Sequence, residues 1–147
     1  VFGMRVAFAS RSAVSSSLGE AMPLDRLLST SDVISLHCPL TTETRHLINQ
    51  TTLARMKRSA YLVNAARGPV VDEAALVWGL ENRLIAGAAL DVYEREPEIE
   101  RGLLALENVV LSPHLGSSTI ETRTTMIQLA VDNMIAVLSG KPPLTPI

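Results

Sequence analysis

Leu62-Val63-Asn64-Ala65-Ala66-Arg67-Gly68 reads as a short apolar strand that passes into a turn of small residues, with Arg67 at its tip. Asp72 and Glu73 then open a helix. In a parallel α/β sheet, ligands sit where strands end and loops begin. An arginine at such a place can grip a planar carboxylate with two parallel hydrogen bonds. Taken alone, Arg67 is more simply an arginine on a surface loop. Two later stretches weigh against that: Leu90-Asp91-Val92-Tyr93-Glu94-Arg95-Glu96-Pro97 and Leu111-Ser112-Pro113-His114-Leu115-Gly116-Ser117-Ser118-Thr119. Each follows an apolar run and sets ionisable residues just past a strand end.

Outward from this run, the chain alternates strands and helices. Strands are expected at 5–9, 33–37, 60–64, 87–92 and 109–111. A serine-rich loop follows Ser10-Arg11-Ser12, and a short helix spans 25–29 behind Pro23. Thr41-Thr42-Glu43-Thr44 reads as the start of a helix, and Asn49 as the cap of another that continues through Leu53 to Met56. A helix over 72–82 puts Leu76, Val77 and Leu80 on one face and leaves Trp78 off it. A long helix runs from Thr119 to about Leu138. Ile127, Ala130, Val131, Met134 and Leu138 recur along it as one apolar face, and Gly140 with Pro142-Pro143 stops it. This alternation predicts a parallel sheet with helices on both faces, and the nearly continuous apolar strands fit a sheet covered on both sides.

Composition narrows the function. The chain has 147 residues, 47% hydrophobic and only 3% aromatic, so the core is aliphatic. The net charge is -2, with no basic run, which argues against a nucleic-acid partner. No apolar stretch reaches the roughly 20 residues that span a bilayer, and no signal peptide is visible. The single cysteine, Cys38, excludes an internal disulfide and fits a reducing, cytoplasmic compartment. The chain begins with Val1 in mid-pattern, which suggests a longer parent.

The strand ends carry the chemistry. His114 sits in a loop before a helix, and histidine can give or take a proton near neutral pH. Glu96 is the candidate orienter, since a carboxylate beside an imidazole favours the charged ring and fixes its tautomer. The plain alternatives are a loop histidine and a solvated acid among Glu94, Glu98 and Glu100. Asp91 ends an apolar strand and needs donors there, either backbone N–H groups or a ligand amide. Arg67, Glu96 and His114 together suit the reduction of a 2-oxo acid. Arg67 holds the carboxylate and polarises the ketone, His114 protonates the oxygen, and Glu96 keeps His114 charged. No metal site is expected.

These stretches, with Val33–Leu40, Glu43–Ile48, Met56-Lys57, Leu62–Asp72, Ala86–Pro97 and Asn108–Thr119, resemble the NAD(P)-binding domain of the D-isomer-specific 2-hydroxyacid dehydrogenases over nearly the whole chain. Ala-Arg-Gly-Pro-Val-Val-Asp-Glu and Pro-His-Leu-Gly-Ser-Ser-Thr are most similar to the glyoxylate and hydroxypyruvate reductases. The resemblance implies a Rossmann-like fold and catalytic roles for Arg67, Glu96 and His114. It implies nicotinamide contacts from Asp91. It also implies cofactor contacts from Cys38, Pro39, Ala65, Ala66, Arg67, His114, Leu115 and Gly116, and a homodimeric parent. Ser10 stands where NAD-preferring members would carry Asp. Ser10, Arg11 and Ser12 therefore point to NADP over NAD, with two hydroxyls and a guanidinium available to a 2′-phosphate. An ordinary polar loop is the alternative.

The family's first strand, Gly-rich turn and first helix have no counterpart here, and no Gly-x-Gly-x-x-Gly occurs in the sequence. Residues 1–147 are thus expected to be a partial NAD(P)-binding domain, with the start of the Rossmann fold and the substrate domain absent. Without a central first strand, 5–9 and 33–37 each expose an apolar edge. The chain alone is expected to be inactive. The competing readings are a dinucleotide-sensing, co-repressor-like binding module and an inactive remnant.

Overall fold

The structure is a computed structural model that describes residues 3–12 and 16–146. Val1, Phe2, Ile147 and residues 13–15 of the expected serine-rich loop lie outside the described residues. The order of elements is β1 (Ala7–Phe8), β2 (Glu20–Ala21), α1 (Leu24–Thr30), β3 (Val33–Leu36), α2 (Gln50–Leu53), β4 (Tyr61–Asn64), a 3-10 turn (Gly68–Val70), α3 (Glu73–Glu81), β5 (Gly87–Leu90), α4 (Arg101–Leu104), β6 (Val109–Leu111) and α5 (Ile120–Leu138). The chain divides into two compact units, residues 1–113 and 114–147.

In the first unit every strand pair is parallel. β3, β4, β5 and β6 lie side by side in that order. β1 pairs with β2 alone, in a separate two-stranded ladder. Among the described residues, β1 is not paired with β3. Val6 and Val33, beside these two edges, are both exposed. β2 and α4 are elements that the sequence pattern does not announce, because Glu20–Ala21 and Arg101–Leu104 are too short to show a period.

The core forms on one face of the four-stranded sheet. Ile34, Leu36, Leu62, Ala88 and Leu90 join Leu28 of α1, Leu53 of α2, Leu76 and Leu80 of α3 and Leu103 of α4 in one buried cluster. Strand residues alternate in direction, so Val33, Tyr61 and Val110 face the other way, and all three are exposed.

Helix ends follow their caps. Asn49 accepts from the N–H groups of Thr51 and Thr52 and forms a capping box with the Thr52 hydroxyl. Asp72 caps α3 through the Ala75 N–H at 3.0 Å. The helix start expected at Thr41–Thr44 is instead a series of turns. The Thr44 hydroxyl bonds back to the Pro39 carbonyl at 2.7 Å and accepts from the Thr41 N–H. His46 then takes a φ of 51°, which a right-handed helix cannot propagate. The helix expected through Met56 also ends early, at Leu53.

In the second unit, Thr119 caps α5 through the Thr122 N–H, and Gly140, with φ 74°, follows its end. The expected apolar face is helical, but Ile127, Met134 and Leu138 stay exposed and Ala136 is the only buried residue of the helix.

Candidate active site

Three loops at the C-terminal ends of β3, β4 and β5 converge in the first unit. A cleft of about 570 Å³ opens between the first two and is lined by His37, Cys38, Pro39, Leu40, Ala65, Ala66 and Arg67. Five of the residues expected to touch a cofactor thus line one space. Ala65 and Ala66 keep the cleft wide, because a methyl is the largest side chain either presents to it.

A residue that sequence reasoning passed over shapes the Arg67 turn. Asn64, 1% exposed at the end of β4, accepts from the Ala66 N–H at 3.1 Å and donates to the Arg67 carbonyl at 3.0 Å. The buried amide therefore satisfies the Ala66 N–H and shares the Arg67 carbonyl with the Val70 N–H at 3.2 Å. The signal was its place: a polar residue closing an apolar strand. Arg67 itself is exposed, and its guanidinium bonds to the Ala66 carbonyl at 2.6 Å.

The β4 and β5 loops are in backbone contact. A β-carbon at Gly68 would stand 1.8 Å from the Tyr93 carbonyl oxygen and 2.5 Å from the Glu94 nitrogen. Only glycine fits there. Glu96 turns back on the same loop, its carboxylate accepting from the Tyr93 N–H at 3.0 Å. Arg67 and Glu96 are therefore borne on two loops pressed together, one residue and three residues from the contact. The third loop is tied in through Glu94. That carboxylate accepts from Arg45 at 3.1 Å and pairs with His46 Nε2 at 2.7 Å.

Asp91 meets a donor just past the end of β6. Leu90 pairs with Leu111 in register, which sets Asp91 beside Ser112, and the Ser112 hydroxyl donates to Asp91 at 2.5 Å. Tyr93 donates to the Ser112 carbonyl at 2.8 Å, and burial, aided by the charge of Asp91, pushes its phenol pKa up.

Ser10, Arg11 and Ser12 are exposed in the loop after β1. Arg11 reaches Glu43 at 3.4 Å, and Glu43 also accepts from the Thr41 hydroxyl at 2.7 Å. The Thr41 bond, then the Glu43 backbone N–H and the Arg11 charge, hold the Glu43 carboxyl below its usual range. Arg11 thus meets the loop that continues from the cleft's Leu40. His114, Leu115 and Gly116 belong to the second unit and are all exposed. His114 holds a φ of 53°, a left-handed conformation that non-glycine residues seldom adopt and that recurs at functional sites.

The residues present fit a dinucleotide in part. An open cleft at the strand ends, small residues on its wall and an exposed arginine after β1 suit a nicotinamide and an adenosine phosphate. The 147 residues contain no Gly-x-Gly-x-x-Gly, the motif that would meet the pyrophosphate. Among the described residues, no helix is long and apolar enough to cross a membrane.

Comparison with known proteins agrees with this layout. The sequence model of the D-isomer specific 2-hydroxyacid dehydrogenase, NAD binding domain, matches residues 1–116. A glyoxylate reductase of Thermofilum pendens is 55% identical over 125 residues, 84% of this chain and 37% of that protein. A glyoxylate reductase of Thermococcus onnurineus is 50% identical over 148 aligned positions, 98% of this chain and 44% of that one. Among solved structures, the NADPH-dependent glyoxylate/hydroxypyruvate reductase of Sinorhizobium meliloti, in complex with NADP and malonate, superposes with a TM-score of 0.94 at 37% identity, covering 99% of this chain and 46% of that one. The chain spans less than half the length of these relatives. With a parallel sheet whose loops gather at one end and a family match over most of its residues, the chain belongs to the D-isomer-specific 2-hydroxyacid dehydrogenases, within their NAD-binding domain.

Proposed function

We propose that this chain is the cofactor-binding part of an enzyme that reduces a small 2-oxo acid, of the glyoxylate or hydroxypyruvate type, to a D-2-hydroxy acid with NADPH or NADH. The observation that carries this reading is the backbone contact of Gly68 with Tyr93, which holds the Arg67 turn against the loop of Glu96 at the end of a parallel sheet. The family and its glyoxylate reductase members support it.

Cys38, Pro39, Ala65, Ala66 and Asp91 would hold the nicotinamide end, together with Leu115 and Gly116. Ser10, Arg11 and Ser12 would hold the adenosine phosphate, which favours NADP. When bound, a reduced nicotinamide supplies the two electrons and one hydrogen taken up by the substrate's carbonyl carbon. Arg67 fixes the carboxylate in two places and draws electron density from the ketone. His114 gives its proton to the carbonyl oxygen as the alcohol forms. Glu96 raises the proton affinity of His114 and fixes its tautomer.

Residues 1–147 form a partial NAD(P)-binding domain in this reading, with no turnover by the chain alone. The parent enzyme is a homodimer of the cytoplasm; the exposed Trp78 and the uncovered face of α5 support self-association, and the one free cysteine supports a reducing compartment. The reading is tested in the parent enzyme by Arg67→Lys. A large rise in the KM for glyoxylate is expected, since the fork is replaced by a point charge. An unchanged KM removes Arg67 from the substrate site.

A further inference from the structure

Glu73 is a buried acid that the proposed chemistry does not use. It stands in the first turn of α3, 4% exposed, where the positive end of the helix favours a carboxylate. Its carboxyl accepts from the Glu94 N–H at 2.7 Å. That amide lies two residues before Glu96, on the same loop. Burial pushes the Glu73 carboxyl pKa up, and the charges of Glu94 and Glu100 act in the same direction. Tyr93, whose own pKa Glu73 helps to raise, completes the ionisable surroundings. A buried acid kept among two others needs a reason beyond helix capping, which Asp72 already provides.

We propose that Glu73 is a positioning residue: it pins the Glu94 end of the loop to α3 and so fixes where Glu96 stands. The chain of contacts is short. Glu73 holds the Glu94 N–H, Glu94 follows Tyr93, and Tyr93 donates its N–H to Glu96. Arg67 is anchored to the same place through Gly68. The proposal rests on the reading that Glu96 raises the proton affinity of His114.

The test uses the parent enzyme and the pH dependence of kcat for 2-oxo acid reduction, which falls as pH rises past the pKa of the proton donor. Glu96→Gln should move that limb down by roughly 1–3 pH units. Glu73→Ala removes the acceptor and should move it down by about 1 unit. Glu73→Gln leaves a weaker, uncharged acceptor for the Glu94 amide and should move it less; it keeps the side chain's volume and carries the test if the alanine variant does not fold. The KM for glyoxylate should stay within about twofold, because Arg67 is untouched, and the Glu94 amide should exchange with solvent faster in both variants. In the Glu96→Gln background, Glu73→Gln should add no further shift. A limb that moves for Glu96→Gln but not for Glu73→Gln overturns the proposal alone. A limb that moves for neither overturns the reading of Glu96 and the proposal with it; additive shifts in the double variant also overturn the proposal.

Discussion

Gly68 and Tyr93 are in contact so close that no other residue fits at 68: a β-carbon there would lie 1.8 Å from the Tyr93 carbonyl oxygen. Both sides of the contact are backbone, so neither can swing aside. Gly68→Ala should therefore separate the β4 and β5 loops and destabilise the protein by at least about 1–3 kcal/mol, the usual cost of overpacking. Urea denaturation measures this. The same substitution at Gly140, where nothing lies within 4 Å of the β-carbon, meets no such clash and strains only its own φ of 74°. Gly68→Ala should be the more damaging of the two.

Asn64 closes the Arg67 turn from below. Asn64→Ala removes the acceptor of the Ala66 N–H and one of two donors to the Arg67 carbonyl, which keeps the Val70 N–H at 3.2 Å. Unsatisfied buried polar groups cost about 1–3 kcal/mol. Thermal unfolding of the variant should show that loss, and hydrogen exchange should show the Ala66 amide newly unprotected.

How far the sequence disclosed this arrangement differs from residue to residue. The strands at 33–36, 61–64, 87–90 and 109–111 were legible from apolar runs closed by Pro39, Gly68 and Pro113. Asp72, Asn49 and Thr119 were legible as caps, or at the start of their helices, because capping is local chemistry. Asn64, Glu73 and Ser112 were missed as partners. Each acts on a loop from another element or closes a turn behind it, and such pairings follow from strand register rather than from spacing along the chain. The turns at 42–46 were misread as the start of a helix, since threonine hydroxyls bond to nearby backbone as readily as they cap. The apolar face of α5 was legible as a period, but periodicity does not say what covers it.

Cofactor preference offers a third prediction, on the parent enzyme. Arg11 now meets a carboxylate, Glu43, at 3.4 Å; a 2′-phosphate is a better partner for the same guanidinium. Arg11→Ala should weaken NADPH by roughly 10- to 100-fold, from the 1.5–3 kcal/mol of a hydrogen bond to a charged group, and NADH far less. Ser10→Asp should act in the same direction by repelling the phosphate. Steady-state KM values for both cofactors decide it, and equal losses for the two would detach Ser10–Ser12 from the phosphate.

Glu73 makes stability depend on pH with a definite sign. Burial raises its pKa in the folded protein, so the folded state binds its proton more tightly than the unfolded chain does. Stability from this group is full below the ordinary glutamate value of about 4.3 and is lost as pH rises through the raised value. Urea denaturation of the wild type from pH 4 upward should show this decline, and Glu73→Gln should flatten the curve over the same window. Parallel curves would mean that Glu73 titrates normally.

The most direct measurement is single-turnover reduction of glyoxylate by NADPH in the parent enzyme carrying His114→Ala, at neutral pH and saturating cofactor. Loss of the proton donor should slow the chemical step by about 10²–10⁴-fold while NADPH still binds. A rate equal to the wild type would mean that the proton comes from elsewhere, and the assignment of Arg67, Glu96 and His114 to one reaction would fail.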